Sequence, residues 1–199
     1  MRDATQPVDE SGMFAAGLRL GLDHLKLGMW LFLASEVMFF GGLISAFLHF
    51  KVNNPSPESS LLDVVLVGLN TFVLLTSSLT VVLGLAAIQR GDRRGLIGYL
   101  TATILLGTAF LVGQGNEFAT LYRHGITLSS SLFGSSFFTL TGFHGLHVFV
   151  GICWALSTLF KALRAGYSQG SYLGVEVFGL YWHFVDIVWI ILFTLIYLI

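Results

Sequence analysis

Gly174-Val-Glu-Val-Phe-Gly-Leu-Tyr-Trp-His-Phe-Val-Asp-Ile-Val-Trp-Ile-Ile-Leu-Phe-Thr-Leu-Ile-Tyr-Leu198 decides the fold. Its apolar residues run continuously instead of alternating, which excludes a barrel strand. A hydrocarbon core of about 30 Å takes about 20 helical residues to cross, and within it every backbone N–H and C=O must be satisfied by the segment itself. The stretch over about 174–198 therefore reads as a transmembrane helix. Four further runs of the same kind lie at about 26–49, 62–88, 96–119 and 132–160. The chain reads as an all-α integral membrane bundle of five transmembrane helices.

Composition agrees. Of the 199 residues, 55% are hydrophobic and 11% charged, with a mean hydropathy of +0.81. Soluble domains carry about 25% charged residues. A formal net charge of −1 offers no basic surface, so nucleic acid is not an expected partner. Cys153 is the only cysteine; no intrachain disulfide can form, and its apolar surroundings assign it to packing. The first apolar run is too long for a signal-peptide core and reads as a retained span. Residues 1–24 form a polar N-terminal segment and residues 25–199 the membrane domain.

The breaks between spans are distinct. Asn53-Asn-Pro-Ser-Pro-Glu-Ser-Ser60 contains two prolines that cannot continue a helix. Arg90-Gly-Asp-Arg-Arg-Gly95 is a short charged turn, Tyr122-Arg-His-Gly125 begins the third loop, and Arg164-Ala-Gly-Tyr-Ser-Gln-Gly170 forms the fourth. With the N-terminus inside, the inner segments hold Arg2, Arg19, Lys26, Arg90, Arg93, Arg94, Lys161 and Arg164, whereas the outer ones hold only Lys51 and Arg123. This bias predicts a cytoplasmic N-terminus and a C-terminus outside. Gly41, Gly42, Gly68, Gly84, Gly107, Gly113, Gly142, Gly145 and Gly151 lie within spans, where a missing side chain lets helices approach.

Function is to be sought in the few polar groups inside these runs, because an ionisable residue at membrane depth is costly and normally has a partner. Glu36 stands about 15 Å into its span, near the midplane. It reads either as a hydrogen-bonded structural carboxyl or as a proton-collecting or lipid-cleft group. His144 and His147 are three apart on the fourth helix. They fit a metal or haem site poorly for want of further ligands, and better two satisfied histidines, one of them bonded to Glu36. His183 and Asp186 are likewise three apart on the fifth helix, a spacing that suits direct pairing or a proton relay. Trp189, one turn further, is placed to donate its indole N–H to Asp186, with Trp182 above. Glu117, near the outer end of the third span, reads as a solvated or capping carboxylate. Asn70, Thr71, Thr76, Ser77 and Ser78 form a polar stripe on the second helix that suits interhelical hydrogen bonds. No nucleophile elbow, zinc-protease motif or phosphate loop is present, so no catalytic residue is assigned.

Five stretches, in order along the chain, carry a likeness to a known family: Ser35-Glu-Val-Met-Phe-Phe40; Leu69-Asn-Thr-Phe-Val-Leu-Leu75; Gly91-Asp-Arg93; Phe133-Gly-Ser-Ser-Phe-Phe138 running into Thr141-Gly-Phe-His-Gly-Leu-His147; and Tyr181-Trp-His-Phe-Val-Asp-Ile-Val-Trp189. From Leu25 to Ile199 the chain resembles subunit III of the haem-copper oxidases, in its cytochrome c oxidase branch and its short five-helix bacterial form. The resemblance implies an accessory subunit of a proton-pumping terminal oxidase that carries electrons from cytochrome c to O2. It implies no haem, copper or other metal in this chain, both cofactors lying in partner subunits, and phospholipid bound in a cleft. It also implies direct contact with subunit I, with subunit II and a small subunit IV as further partners, support of proton uptake, and a bacterial plasma membrane. The family's membrane carboxylate falls on Glu36, its paired histidines on His144 and His147, its fifth-helix pair on His183 and Asp186, and its outer carboxylate on Glu117. Other readings are subunit III of a quinol oxidase, an accessory protein of a nitric oxide reductase, and a small transporter or proton channel.

Overall fold

The computed structural model describes residues 24–53 and 63–199. Nearly all of the expected polar N-terminal segment and most of the proline-containing first loop lie outside these residues. Five long helices follow one another: α1 (His24–Asn53), α2 (Val64–Gln89), α3 (Arg93–Arg123), α4 (Leu132–Leu163) and α5 (Leu173–Phe193), which ends in a π-helical turn, Thr194–Leu198. Each is long and apolar enough to cross a membrane, and the described residues contain no strand. The chain is a multi-pass membrane protein.

Three of the helices, α2, α3 and α4, start where a side chain caps them. Asp63 accepts from the amides of Val65 and Leu66 at 3.1 and 3.0 Å. Asp92 accepts from Gly95 at 2.9 Å, and Ser131 from Gly134 at 3.0 Å. Such caps satisfy the otherwise orphaned first-turn donors. They explain why α3 begins at Arg93, ahead of its apolar run: Gly91, with φ of 82°, makes the turn and Asp92 starts the next helix at once.

The helices run up and down. One end carries His24, Gln89, Arg93, Leu163 and Leu173 and is rich in basic residues; the other carries Asn53, Val64, Arg123, Leu132 and the π-helical turn. α2 and α3 form the most extensive interface, α4 closes on α3, and α5 lies against α2 and α4. α1 stands at the periphery, packed mainly on α4 and α5. The core centres on Trp182, Trp189, Phe110, Phe137 and Phe178, all essentially inaccessible.

Glycine serves this packing only in part. Gly107 and Gly151 abut the Trp182 indole, Gly113 abuts the Asn70 amide, and Gly145 abuts Gln114. Gly41, Gly42 and Gly142 have open space where a side chain would stand, against the expectation that they admit a neighbouring helix. Cys153 is exposed on the apolar surface and does not pack in the core.

Candidate functional site

α1 meets α4 through Glu36 and His147, whose Oε2 and Nε2 lie 3.2 Å apart. Both side chains are mostly covered, at 17% and 16% exposure, with Phe39 and Phe40 alongside the imidazole. The other ring nitrogen, Nδ1, is 2.7 Å from the Phe143 carbonyl. A carbonyl only accepts, so Nδ1 carries hydrogen. The contact at Nε2 then needs one proton between imidazole and carboxyl: it is either an imidazolium facing a carboxylate or a neutral ring facing a carboxylic acid. Both states are neutral overall, which is what a low-dielectric site favours. The Tyr181 hydroxyl donates to the His147 carbonyl at 2.9 Å, tying the pair to α5.

His144 does not join it. Three helical residues advance by about 300°, so the two rings leave α4 about 60° apart and meet different neighbours. His144 is wholly buried, stacked on Trp189 with centroids 4.8 Å apart and edge-on to Phe110 at 5.9 Å. Neither ring nitrogen finds a hydrogen bond among the described residues, so the expectation of a satisfied histidine fails here. Its contribution is a flat ring in an aromatic stack.

On α5 the expected direct contact between His183 and Asp186 does not form, and His183 turns to α2 instead. Ser78 Oγ of α2 lies 2.6 Å from His183 Nδ1. The same 60° offset parts the two α5 side chains, and a hydroxyl on α2, able to donate or accept, meets the imidazole. Asp186 Oδ1 has no partner among the described residues. Trp189 donates to Thr71 Oγ1 at 2.9 Å, not to Asp186, and Trp182 donates to Ser77 Oγ at 3.0 Å. The polar stripe of α2 thus receives both indoles and the histidine of α5. Asn70 Nδ2 donates across to the Phe110 carbonyl at 3.0 Å. Thr76 stays local, bonding the Phe72 carbonyl of its own helix.

Glu117 is not a solvated cap. The Tyr197 hydroxyl sits 2.8 and 3.0 Å from its two oxygens, joining α3 to the π-helical turn. Lys51 reaches the same turn, donating to the Leu195 carbonyl at 3.0 Å. At the basic end, Lys26 of α1 and Glu176 of α5 form an ion pair at 2.6 Å. Sequence reasoning left Lys26 without a role and passed over Glu176, Gln114, Tyr181 and Tyr197. The available signal was positional: in an up-and-down bundle Lys26 and Glu176 both fall in the first turn of a helix, at the same membrane face. Gln114, buried on α3, donates to the Thr141 carbonyl at 2.8 Å. No group of three or more His, Cys, Asp or Glu side chains converges as a metal site among the described residues.

These buried polar groups link helices in pairs: α1 to α4, α2 to α5, α3 to the π-helical turn. The family profile of cytochrome c oxidase subunit III matches residues 2–199. A cytochrome c oxidase subunit 3 of Thermostichus vulcanus is 38% identical over 192 residues, covering 92% of this chain and 94% of its own length. One from a Synechocystis species is 43% identical over 180 residues, covering 88% and 76%. A quinol oxidase subunit 3 of Bacillus subtilis is 37% identical over 174 residues, covering 86% and 85%.

Proposed function

The chain belongs to the cytochrome c oxidase subunit III family, and from that premise we propose that it is the non-catalytic third subunit of a proton-pumping terminal oxidase fed by cytochrome c. Membership of an oxidase complex follows from the family; the finer role is our reading. The chain braces catalytic subunit I, lies beside subunit II and a small subunit IV, holds phospholipid, and supports proton uptake while the haem and copper sites of its partners reduce O2. It sits in a bacterial plasma membrane with the basic end of the bundle inside, as the lysine and arginine count favours.

The observation that carries this reading is how the intramembrane polar groups are spent. Glu36 with His147, Ser78 with His183, and Tyr197 with Glu117 each connect one helix to another. Such use suits a scaffold. A transporter would be expected to gather its polar groups at one midplane site between broken helices, and α1 to α4 run unbroken through the membrane. Against the open groups of an active site, the Glu36–His147 pair is enclosed yet within reach of the α1 surface, where it can meet a lipid or exchange a proton.

Mild-detergent capture of the tagged chain from its native membrane, with a visible spectrum and mass spectrometry of the partners, tests the reading. Co-purification of a haem-bearing subunit I and a copper-bearing subunit II is expected. Oxygen uptake with reduced cytochrome c is expected to exceed that with quinol; the reverse order would move the complex to the quinol branch. A colourless chain recovered alone would refute the assignment to an oxidase scaffold.

A further inference from the structure

Tyr181 of α5 stands between the two helices that carry the Glu36–His147 pair. Its hydroxyl donates to the His147 carbonyl of α4 at 2.9 Å. Its ring is stacked on Phe32 of α1, with centroids 6.3 Å apart, and lies 5.4 Å from the Trp154 ring of α4. Phe32 precedes Glu36 by four residues and Trp154 follows His147 by seven, so each shares a helix face with the partner it flanks. One side chain, 3% exposed, thus touches α1 a turn from the carboxyl and α4 at the residue that bears the imidazole. α4 is shaped to admit it. In an α-helix the His147 carbonyl accepts from the amide four residues on, that of Gly151, and a second lone pair remains. A Cβ on Gly151 would stand 3.2 Å from Tyr181 Cε1, inside the separation of about 3.5–4.0 Å at which carbons settle. The missing side chain lets the phenol reach that lone pair.

We infer that Tyr181 is the positioning residue of the Glu36–His147 pair, setting through its hydroxyl and its ring the spacing of α1 and α4 at which carboxyl and imidazole share a proton. The inference rests on the reading of that pair as a group that exchanges a proton, and adds the residue that fixes its geometry. The pair needs such placing. At 3.2 Å, Glu36 Oε2 and His147 Nε2 stand at the long end of the range for an N–H···O bond, about 2.7–3.2 Å. A few tenths of an ångström in helix separation therefore decide whether the bond exists. The imidazole cannot swing to make up the difference without loss, because its Nδ1 is held on the Phe143 carbonyl of α4. What is left to set is the position of α4 against α1, and Tyr181 touches both. The other titratable groups near it on α5 face elsewhere. His183 and Asp186 stand two and five residues past Tyr181, about 160° and 140° around the helix, and His183 bonds Ser78 of α2.

The test uses the complex captured in mild detergent, with glutamate isotopically labelled at its side-chain carboxyl, and reads the infrared band of Glu36, identified by its loss in Glu36→Gln. Wild type is expected to show a single band, that of a carboxyl bonded to His147. Tyr181→Phe keeps the ring and removes the hydroxyl; it should lower the ratio of bonded to free carboxyl about two- to tenfold, the weight of one net hydrogen bond. Phe32→Leu, at an exposed position of α1, removes the stacked ring and should move the band in the same direction, which gives a second reading where Tyr181→Phe does not assemble. Tyr99→Phe on α3, beside Gly84 of α2, should leave the band as in wild type. A Tyr181→Phe band that superimposes on that of wild type would overturn the assignment, as would an unchanged band in Phe32→Leu. An equal change in Tyr99→Phe would overturn it also, by tracing the effect to packing at large. A wild-type band already split between bonded and free forms would instead overturn the pair on which the inference rests. The haem spectrum of each preparation reports assembly separately, so a failure of Tyr181 or of the pair is distinguishable from a failure of the oxidase reading.

Discussion

Trp182 is held between two helices that have no side chain to spare for it. A Cβ on Gly151 of α4 would stand 2.8 and 2.9 Å from its Cζ3 and Cε3 and 3.2 Å from Tyr181 Cε1. A Cβ on Gly107 of α3 would stand 2.9 and 3.1 Å from its Cη2 and Cζ2 and 3.3 Å from Ile152. Non-bonded carbons settle at about 3.5–4.0 Å, so either alanine demands a shift of roughly 0.6 Å or more. The indole cannot supply it cheaply: it is 1% exposed, the other glycine lies across the ring, and its Nε1 is anchored to Ser77 at 3.0 Å. Overpacking of this kind costs about 1–3 kcal/mol, offset by the roughly 0.5–1 kcal/mol that alanine gains over glycine in a helix. Gly151→Ala, with the closer contacts, is therefore expected to lose about 1–2 kcal/mol and Gly107→Ala slightly less. The double variant should lose more than the sum, since each alanine removes the other's escape. Gly42→Ala and Gly142→Ala, with nothing within 4 Å, are the controls and should lose nothing. Reversible unfolding in mixed micelles measures the difference, and Trp182→Phe in the Gly151→Ala background should recover part of it as negative coupling in the cycle. If Gly151→Ala unfolds at the same point as Gly42→Ala, the clamp does not exist as described.

Glu36→Gln retains a group able to hydrogen-bond His147, so the complex should assemble and keep most of its turnover; an assembled but wholly inactive oxidase would contradict the scaffold role. Thr71→Val leaves the Trp189 indole N–H without its acceptor and should cost about 0.6 kcal/mol, the average for hydrogen bonds between membrane helices, and at most about 1.7 kcal/mol. A cost near zero in unfolding measurements would mean that this bond contributes nothing net. Tyr167, in the loop between α4 and α5, has its phenol pKa pushed up by burial, partly countered by a hydrogen bond with Thr158. The raised folded-state value means stability is complete below the ordinary value near 10 and falls as pH rises from there through the folded value. Tyr167→Phe should flatten that alkaline limb in a pH series of unfolding midpoints; an unchanged slope above pH 10 would count against it.

Much of the candidate site was legible as residue types and little of it as contacts. That Glu36 would meet a fourth-helix histidine follows from the cost of an unpaired carboxyl in hydrocarbon. Which histidine it meets depends on the rotation of α4 against α1, which spacing along one helix does not contain. The same holds for Trp189. Its distance along α5 points to Asp186, yet α2 lies closer to the indole N–H and takes the bond through Thr71. His183 and Asp186 look adjacent on paper, yet the imidazole bonds Ser78 of another helix.

By itself the sequence determined that the protein crosses the membrane five times as helices, because in hydrocarbon the backbone polar groups must be satisfied internally and the continuous apolar runs exclude a barrel. It determined also which ionisable side chains lie within the spans, and the motifs that place the chain in its family. Tertiary structure alone decided the pairings: His147 and not His144 for Glu36, Tyr197 for Glu117, Glu176 for Lys26. The physical reason is that hydropathy acts on each segment separately and reads only its length and composition. A hydrogen bond of 3 Å reads the rotation and register of two helices at once, and those are set by how Trp182, Phe110 and the glycines beside them pack.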